Sequence, residues 1–327
     1  MITALVTGGT GFVGSHIARA LSERGYQVRI LRRTTSRLDA VNDITCEHFV
    51  GDVTDIESLR VAMKGVDWVF HVAAVADYWR SEPARIYEVN VDGTRNVLLA
   101  AEEMGVERVI FTSSAAAMGC GDDLRPVDET TRFNWDQHLT PYGHSKFLAE
   151  AEVYRAIRRG LDCVIVNPTV IIGPGDLNQI SSSVVLELAR GNVPPTVPPG
   201  GITVIDVRDV AAAHVAAAER GRTGERYLLG AVDLTHKAWM RLTADAVSRR
   251  MSPFTLPAWL VYIVAWAADI LRRYGVPIPI EGNQLRLSTH MLFFNCQKSW
   301  RELGEPKISI QQSLKETYAW YQAHGDL

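Results

Sequence analysis

Val6-Thr7-Gly8-Gly9-Thr10-Gly11-Phe12-Val13-Gly14-Ser15 separates a short apolar run, Ile2 to Val6, from a helical pattern of Ile17, Ala18 and Leu21 that ends at Gly25. Strand, glycine turn and helix in this order are the context in which a dinucleotide is bound. Gly8 suits a tight turn, Gly11 lets the backbone approach a pyrophosphate without a Cβ, and Gly14 lets the helix pack closely on the strand. The helix then turns free N–H groups and its positive dipole end toward phosphate oxygens. The spacing is G-x-x-G-x-x-G instead of G-x-G-x-x-G. A plain strand-to-helix turn is the alternative reading of the motif taken alone.

Working outward, Gln27 to Leu31 reads as the second strand, followed by Arg32, Arg33 and Arg37. A site for NAD places Asp or Glu here, roughly 20 residues beyond the glycines, to accept from the ribose 2′-hydroxyl. Guanidinium groups instead suit a 2′-phosphate, which a carboxylate would repel. NADP(H) is therefore the expected cofactor and NAD(H) the alternative; the competing view is that Arg32 and Arg33 only solvate a strand end. Glu47 to Val50 makes a third strand closed by Gly51-Asp52-Val53, with Asp52 placed to accept from an adenine amino group. Trp68 to Val72 is the fourth strand, and the small pair Ala73-Ala74 after it lets a flat ligand lie against the backbone. His71 on that strand reads as a satisfied core residue beside the cofactor.

Val109-Ile110-Phe111 reads as the fifth strand and delivers Thr112-Ser113-Ser114 at its carboxyl end, where ligands of open α/β sheets sit. Pro141-Tyr142-Gly143-His144-Ser145-Lys146 then opens a helix, and Tyr142 and Lys146, four residues apart, share one face of it. A free tyrosine has a pKa of about 10. A neighbouring ammonium favours the phenolate and lowers that value. Tyr142 then serves as general acid in a reduction or general base in an oxidation. Ser114 would hold the substrate oxygen, and Lys146 would also hold the nicotinamide ribose. Alone, Tyr-x-x-x-Lys is a common surface pair; its place after the fifth strand gives it weight. His144 is expected to face solvent.

These motifs together resemble the extended short-chain dehydrogenases/reductases of the NAD-dependent epimerase/dehydratase superfamily. The resemblance rests on Thr7-Gly8-x-x-Gly11-x-x-Gly14, Asp52-Val53, Ala73-Ala74, Asn90-Val91-x-Gly93-Thr94, Ser113-Ser114 and Tyr142-x-x-x-Lys146. Asn167-Pro168-Thr169 and Gly173-Pro174-Gly175 extend it over nearly the whole chain. Val75-Ala76-Asp77-Tyr78, Ile205 to Ala211 and Met291-Leu292-Phe293-Phe294 are most similar to dihydroflavonol 4-reductase-like and hopanoid-associated sugar-epimerase-like proteins. The resemblance implies catalytic Ser114, Tyr142 and Lys146. It implies cofactor contacts at Gly8, Thr10, Gly11, Phe12, Val13, Arg32, Arg33, Asp52, Val53, Val72, Ala73, Ala74, Thr112, Tyr142, Lys146, Pro168 and Val170. It also implies a substrate pocket at Asp77, Tyr78, Met118 and Asn178. Two departures narrow the chemistry. Family dehydratases follow the catalytic hydroxyl with Asp-Glu, where this chain has Ala115-Ala116. Family nucleotide-sugar epimerases carry an arginine seven residues before the position of Asp209, where this chain has Ile202. An oxidoreductase acting on an uncharged carbonyl/alcohol pair is therefore preferred over an epimerase. A non-catalytic NADP-binding sensor is a third reading, which an intact proton relay disfavours.

The 327 residues suit an α/β fold. The expectation is a Rossmann-type doubly wound parallel sheet over 1–175 and a smaller, mostly C-terminal substrate-binding lobe over 176–327, with strands returning to the main sheet around 203–215. A net charge of -3 and the lack of a long basic run speak against nucleic acid and leave a small-molecule substrate. The four cysteines lack metal-site spacing, so no metal is expected. The chain opens directly on a strand, so no signal peptide is expected and the reducing cytoplasm is the expected compartment. The resemblance implies a homodimer paired through the Tyr142 helix. The apolar stretch 257–273 is too short for a bilayer, which takes about 20 residues. It is expected to be a core, lid or dimer helix, with peripheral contact at a membrane interface as the competing reading.

Overall fold

The computed structural model describes residues 1–76, 81–121, 126–276 and 281–327. Asp77 and Tyr78 lie outside the described residues. Apolar runs and amphipathic stretches alternate through β1 (Thr3–Thr7), α1 (Phe12–Glu23), β2 (Gln27–Arg32), β3 (Glu47–Val50), α2 (Ile56–Met63) and β4 (Trp68–His71). They continue through α3 (Pro83–Tyr87), α4 (Gly93–Met104), β5 (Arg108–Thr112), α5 (Pro141–Arg159), β6 (Cys163–Pro168) and β7 (Val170–Ile172). The remaining half holds α6 (Ser183–Arg190), β8 (Thr196–Val197), β9 (Gly201–Asp206), α7 (Val207–Arg220), β10 (Arg226–Leu229) and β11 (Val232–Thr235). After them come α8 (His236–Ala246), β12 (Phe254–Thr255), α9 (Ala258–Arg273), α10 (Gly282–Leu287), β13 (Met291–Leu292), α11 (Gln297–Leu303) and α12 (Ile310–Ala323).

The seven-stranded main sheet runs β10-β6-β5-β4-β1-β2-β3. Every pairing in it is parallel. Its central strands are apolar throughout because both faces are covered. Ala4, Val6, Phe70 and Ile110 pack under α1 and α7, while Leu5, Val69, Val109 and Phe111 pack under α2, α4 and α5. Strand order reverses between β1 and β4, so a crevice opens at their carboxyl ends.

The expectation that strands around 203–215 rejoin this sheet is corrected. β9 belongs to a second sheet, where it pairs with β7, β11 and β13. What returns from that stretch is α7, whose Val210, Ala211 and Val215 join the core under α1. A parallel neighbour for β6 requires a helical crossover. The strand that follows α7, β10, is therefore the one that joins β6. Since β7 already lies in the second sheet, the two layers do not divide at Gly175. A further core of Trp239, Leu314 and Tyr321 backs the second sheet.

α9 is no core helix. Only Val261, Ala265 and Ala268 are buried, while Trp259 and Trp266 are 64% and 62% exposed. It packs on α10. No helix among the described residues is long and apolar enough to cross a membrane.

Candidate active site

The glycine turn is built from its own backbone outward. Gly8 sits at φ +68°, and a Cβ there would lie 2.8 Å from the Ala73 backbone. Gly14 has a tighter constraint than packing on a strand: its Cβ would fall 2.2 Å from the Gly8 carbonyl oxygen. The amide of Gly11 donates to that same carbonyl at 2.9 Å. Gly11 caps α1 without a side-chain hydrogen bond, and no acid occupies the first turn. The first-turn N–H groups therefore remain available to an anion. Thr10, Phe12 and Val13 line the cavity beside them.

That cavity measures about 990 Å³ and follows the crevice from the end of β2 to the second sheet. Arg32, Arg33 and Arg37 stand at one end with Asp52 and Val53. The Arg32 Nε is buried without a hydrogen-bond partner, and the Ser36 hydroxyl accepts from the Arg33 amide at 3.0 Å. One Asp52 oxygen accepts from the Thr54 amide and hydroxyl at 3.0 and 2.9 Å, which fixes the carboxylate at the rim. Val72, Ala73, Ala74, Thr112, Pro168 and Val170 supply the wall between. Free helix amides, small wall residues and a cationic end fit a dinucleotide.

Ser114, Tyr142 and Lys146 all line this cavity. Thr140 caps α5 by accepting from the Gly143 amide at 3.1 Å, and Pro141 pre-sets the first turn. A Cβ on Gly143 would sit 2.4 Å from the Ala116 carbonyl, so glycine lets the Tyr142 turn approach the Ser114 turn. The Ser114 hydroxyl accepts from the Ala116 amide at 3.2 Å and keeps its own hydrogen to donate. Lys146 is 2% exposed and its Nζ donates to the Thr112 carbonyl at 2.8 Å. Burial pulls its pKa down to about 8, opposed by the charge of Glu150.

The far wall mixes apolar and polar side chains. Leu177, Ile180, Ile202, Leu287 and Leu292 line it, with Met118 and Phe294 beside them, and Asn178, Ser181, Thr203, His236, Gln284 and Ser288 are interspersed. Ile202 faces the cavity where a diphosphate-binding arginine would be needed. Arg85 also lines the cavity, and it pairs with Glu88 at 2.8 Å. One oxygen of the buried Asp176 accepts from the amides of Ile180, Ser181 and Ser182, at 3.0, 3.0 and 2.9 Å, and so shapes the loop on this side.

Several site residues carried no assigned role in the sequence. Asn90 lies in a π-helical turn, Glu88–Asp92, and joins two parts of the site. Its amide group exchanges hydrogen bonds with both backbone groups of Val75 and donates to the Ser145 hydroxyl at 2.9 Å. Beneath Ser114, the buried Glu150 accepts from the Ser113 hydroxyl at 2.5 Å and the Asn167 amide at 2.7 Å. Asn167 also donates to the Ser114 carbonyl at 3.0 Å. Burial raises the Glu150 pKa, against the pull of Arg226. Its signal was a carboxylate four residues beyond Lys146, on the helix face that must be buried.

The histidines divide. His71 is buried, with Nδ1 2.8 Å from the Thr7 hydroxyl and Nε2 3.0 Å from that of Thr94; burial lowers its pKa to about 3. His144, expected to face solvent, is half-buried. Its Nδ1 lies 2.9 Å from the Tyr87 hydroxyl, and its ring packs against Phe133 and Phe147 because α3 covers the start of α5. Asp206 and Asp209 are structural: Asp206 caps α7, and Asp209 accepts from the Lys307 and Ile308 amides.

Comparison with known proteins agrees with this geometry. The model of the NAD dependent epimerase/dehydratase family matches residues 4–230. A Synechocystis sp. protein named "Putative dihydroflavonol 4-reductase" is 37% identical over 328 residues, covering 98% of this chain and 94% of the relative. Sterol demethylase protein B of Methylococcus capsulatus is 31% identical, covering 99% of each. The crystal structure of gox2253 superposes with a TM-score of 0.89 at 36% identity, covering all of both chains. The chain thus belongs to the NAD-dependent epimerase/dehydratase family, as an NAD(P)-dependent enzyme of the extended short-chain dehydrogenase/reductase type.

Proposed function

We propose that this enzyme is an NADP-dependent oxidoreductase that interconverts a carbonyl and an alcohol on an uncharged, largely apolar substrate. The observation that carries this reading is Ile202, which lines the far wall together with Leu177, Ile180 and Leu292 at the position where family epimerases carry the diphosphate-binding arginine. Two relatives, named as a dihydroflavonol 4-reductase and as sterol demethylase protein B, are compatible with such substrates. Arg32, Arg33 and Arg37 support the 2′-phosphate preference.

The nicotinamide, when bound, supplies hydride chemistry. Everything else falls to the chain. Ser114 donates its hydroxyl hydrogen to the substrate oxygen. Tyr142 exchanges the proton with that oxygen, and the Lys146 ammonium favours its phenolate form. Asn90 fixes Val75 and Ser145 around them. Ala115 and Ala116 offer no acid or base for eliminating water.

The test is a panel of ketones, aldehydes and sugar nucleotides, followed by absorbance of the reduced cofactor and by product analysis. Ketone-dependent oxidation of NADPH, abolished in Tyr142→Phe with cofactor affinity retained, is expected. Interconversion of sugar-nucleotide epimers without net cofactor turnover would overturn this reading in favour of an epimerase.

A further inference from the structure

We propose that α9 is a membrane-docking helix that lies in the interface of an anionic bilayer. Its sequence runs Trp259, Tyr262, Ile263, Trp266, Ile270, Arg273 at helical spacing, and these residues form one stripe on the side opposite the buried Val261, Ala265 and Ala268. Trp259, Trp266 and Ile263 are 64%, 62% and 52% exposed. Tryptophan and tyrosine with a cationic end are the composition that settles at headgroup depth. The charges agree with that occupant. The one acid of the helix, Asp269, is turned onto α10, where it accepts from Arg286 at 2.5 Å and packs against Gly282. Arg272 and Arg273, both exposed, close the last turn.

A second copy of the chain is the rival occupant, and area argues against it. A helix of 16 residues is about 24 Å long and about 10 Å across, so the curved surface of its outward half offers roughly 400–500 Å². A stable protein interface takes about 800 Å² from each partner. Partial immersion in lipid has no such threshold, since each apolar side chain contributes by itself.

The position of the helix adds a consequence. α9 packs on α10, and α10 supplies Gln284 and Leu287 to the cavity wall. Docking would therefore bring this end of the cavity close to the lipid. This consequence rests on the proposed substrate class, whereas docking itself does not.

The experiment is vesicle flotation of the whole chain without substrate, beside its sedimentation and thermal melting. The chain is expected to float with equimolar phosphatidylcholine and phosphatidylglycerol. Trp259→Ser combined with Trp266→Ser should lower partitioning by more than about tenfold without changing the melting temperature, because both side chains are exposed. Arg273→Glu should weaken binding to the anionic vesicles by about fivefold or more and leave binding to phosphatidylcholine alone unchanged. Failure of the unmodified chain to float, or equal flotation of the doubly substituted chain, overturns the proposal. So does a dimer that does not float and is split by the double substitution, which assigns the stripe to a second copy. Activity on a ketone is not read in any arm, so the result stands apart from the proposed reaction.

Discussion

Arg32 ends β2 with its Nε buried and unpaired, at the mouth of a cavity whose neighbouring rim carries Arg33 and Arg37. A buried donor without a partner costs stability until something accepts from it. A 2′-phosphate would do so, and a charged hydrogen bond contributes about 1.5–3 kcal/mol, or about tenfold or more in affinity. NADPH is expected to bind more tightly than NADH by at least that factor, and Arg32→Asp to reverse the order. Calorimetric titration checks both; equal affinities in the unmodified chain would remove the arginine argument. Lys146 makes a second residue-level prediction. Burial lowers its pKa to about 8, so the ammonium is present below that pH and lost above it. The profile of kcat/KM reports the free enzyme, and it should fall as pH rises through about 8. A rate that climbs across this interval would mean that neutral Lys146 is the working form.

At the scale of elements, α5 and the turn after β5 are held in contact by one missing Cβ. Gly143→Ala would place a methyl group 2.4 Å from the Ala116 carbonyl. Backbone cannot yield as a flexible side chain does, so overpacking should cost about 1–3 kcal/mol. Tyr142 would also move away from Ser114. Activity is expected to drop far more than NADPH affinity, because the glycine turn and Arg32 lie on other elements; kinetics and calorimetry of the same preparation separate the two. The sequence made this half of the molecule legible for a physical reason. Buried parallel strands are short continuous apolar runs, and each leads into the residues that face the crevice, so the place of Thr112-Ser113-Ser114 follows from the sequence. The second sheet was less legible. β7 and β9 are as apolar as β6 and β10, and nothing local in Val170–Ile172 says which sheet it will join. The π-helical turn around Asn90 has no periodic signature either. Nor does the motif Asn-Val-x-Gly-Thr reveal that its asparagine reaches Val75 and Ser145. The partial cover of His144 was hidden because it comes from Tyr87, which is remote in sequence, and from Phe133 in the loop before α5.

On the scale of the whole molecule, the chain leaves the main sheet after β6, builds β7 and β9 into the second, and returns through α7 and β10. His16 of α1 reaches across this path, with its Nε2 2.9 Å from the Pro174 carbonyl. A fragment spanning 1–175 would lack α7, which covers Ile17, Ala18 and Leu21 together with the main sheet. It would also lack the partner of β6, leaving a bare edge. Such a fragment is expected not to fold cooperatively and to bind a hydrophobic dye, whereas the full chain melts in one transition. Circular dichroism and dye fluorescence check this, and a fragment that melts sharply and binds NADPH would contradict it.

The interleaved path also limits how the enzyme can diversify. A genetic exchange joined between β6 and β10 leaves one layer assembled from two parents, and one joined after β11 trades only the part of the wall that holds Leu287, Leu292 and Phe294. Loop-for-loop grafting meets the same obstacle at His16 and Pro174. Changing single wall residues such as Ile202 or Met118 alters the wall while the thread stays whole. Kin that accept different substrates should consequently differ at scattered cavity positions on both sides of β10, and a seam in their sequences should fall outside the stretch from β6 to β10.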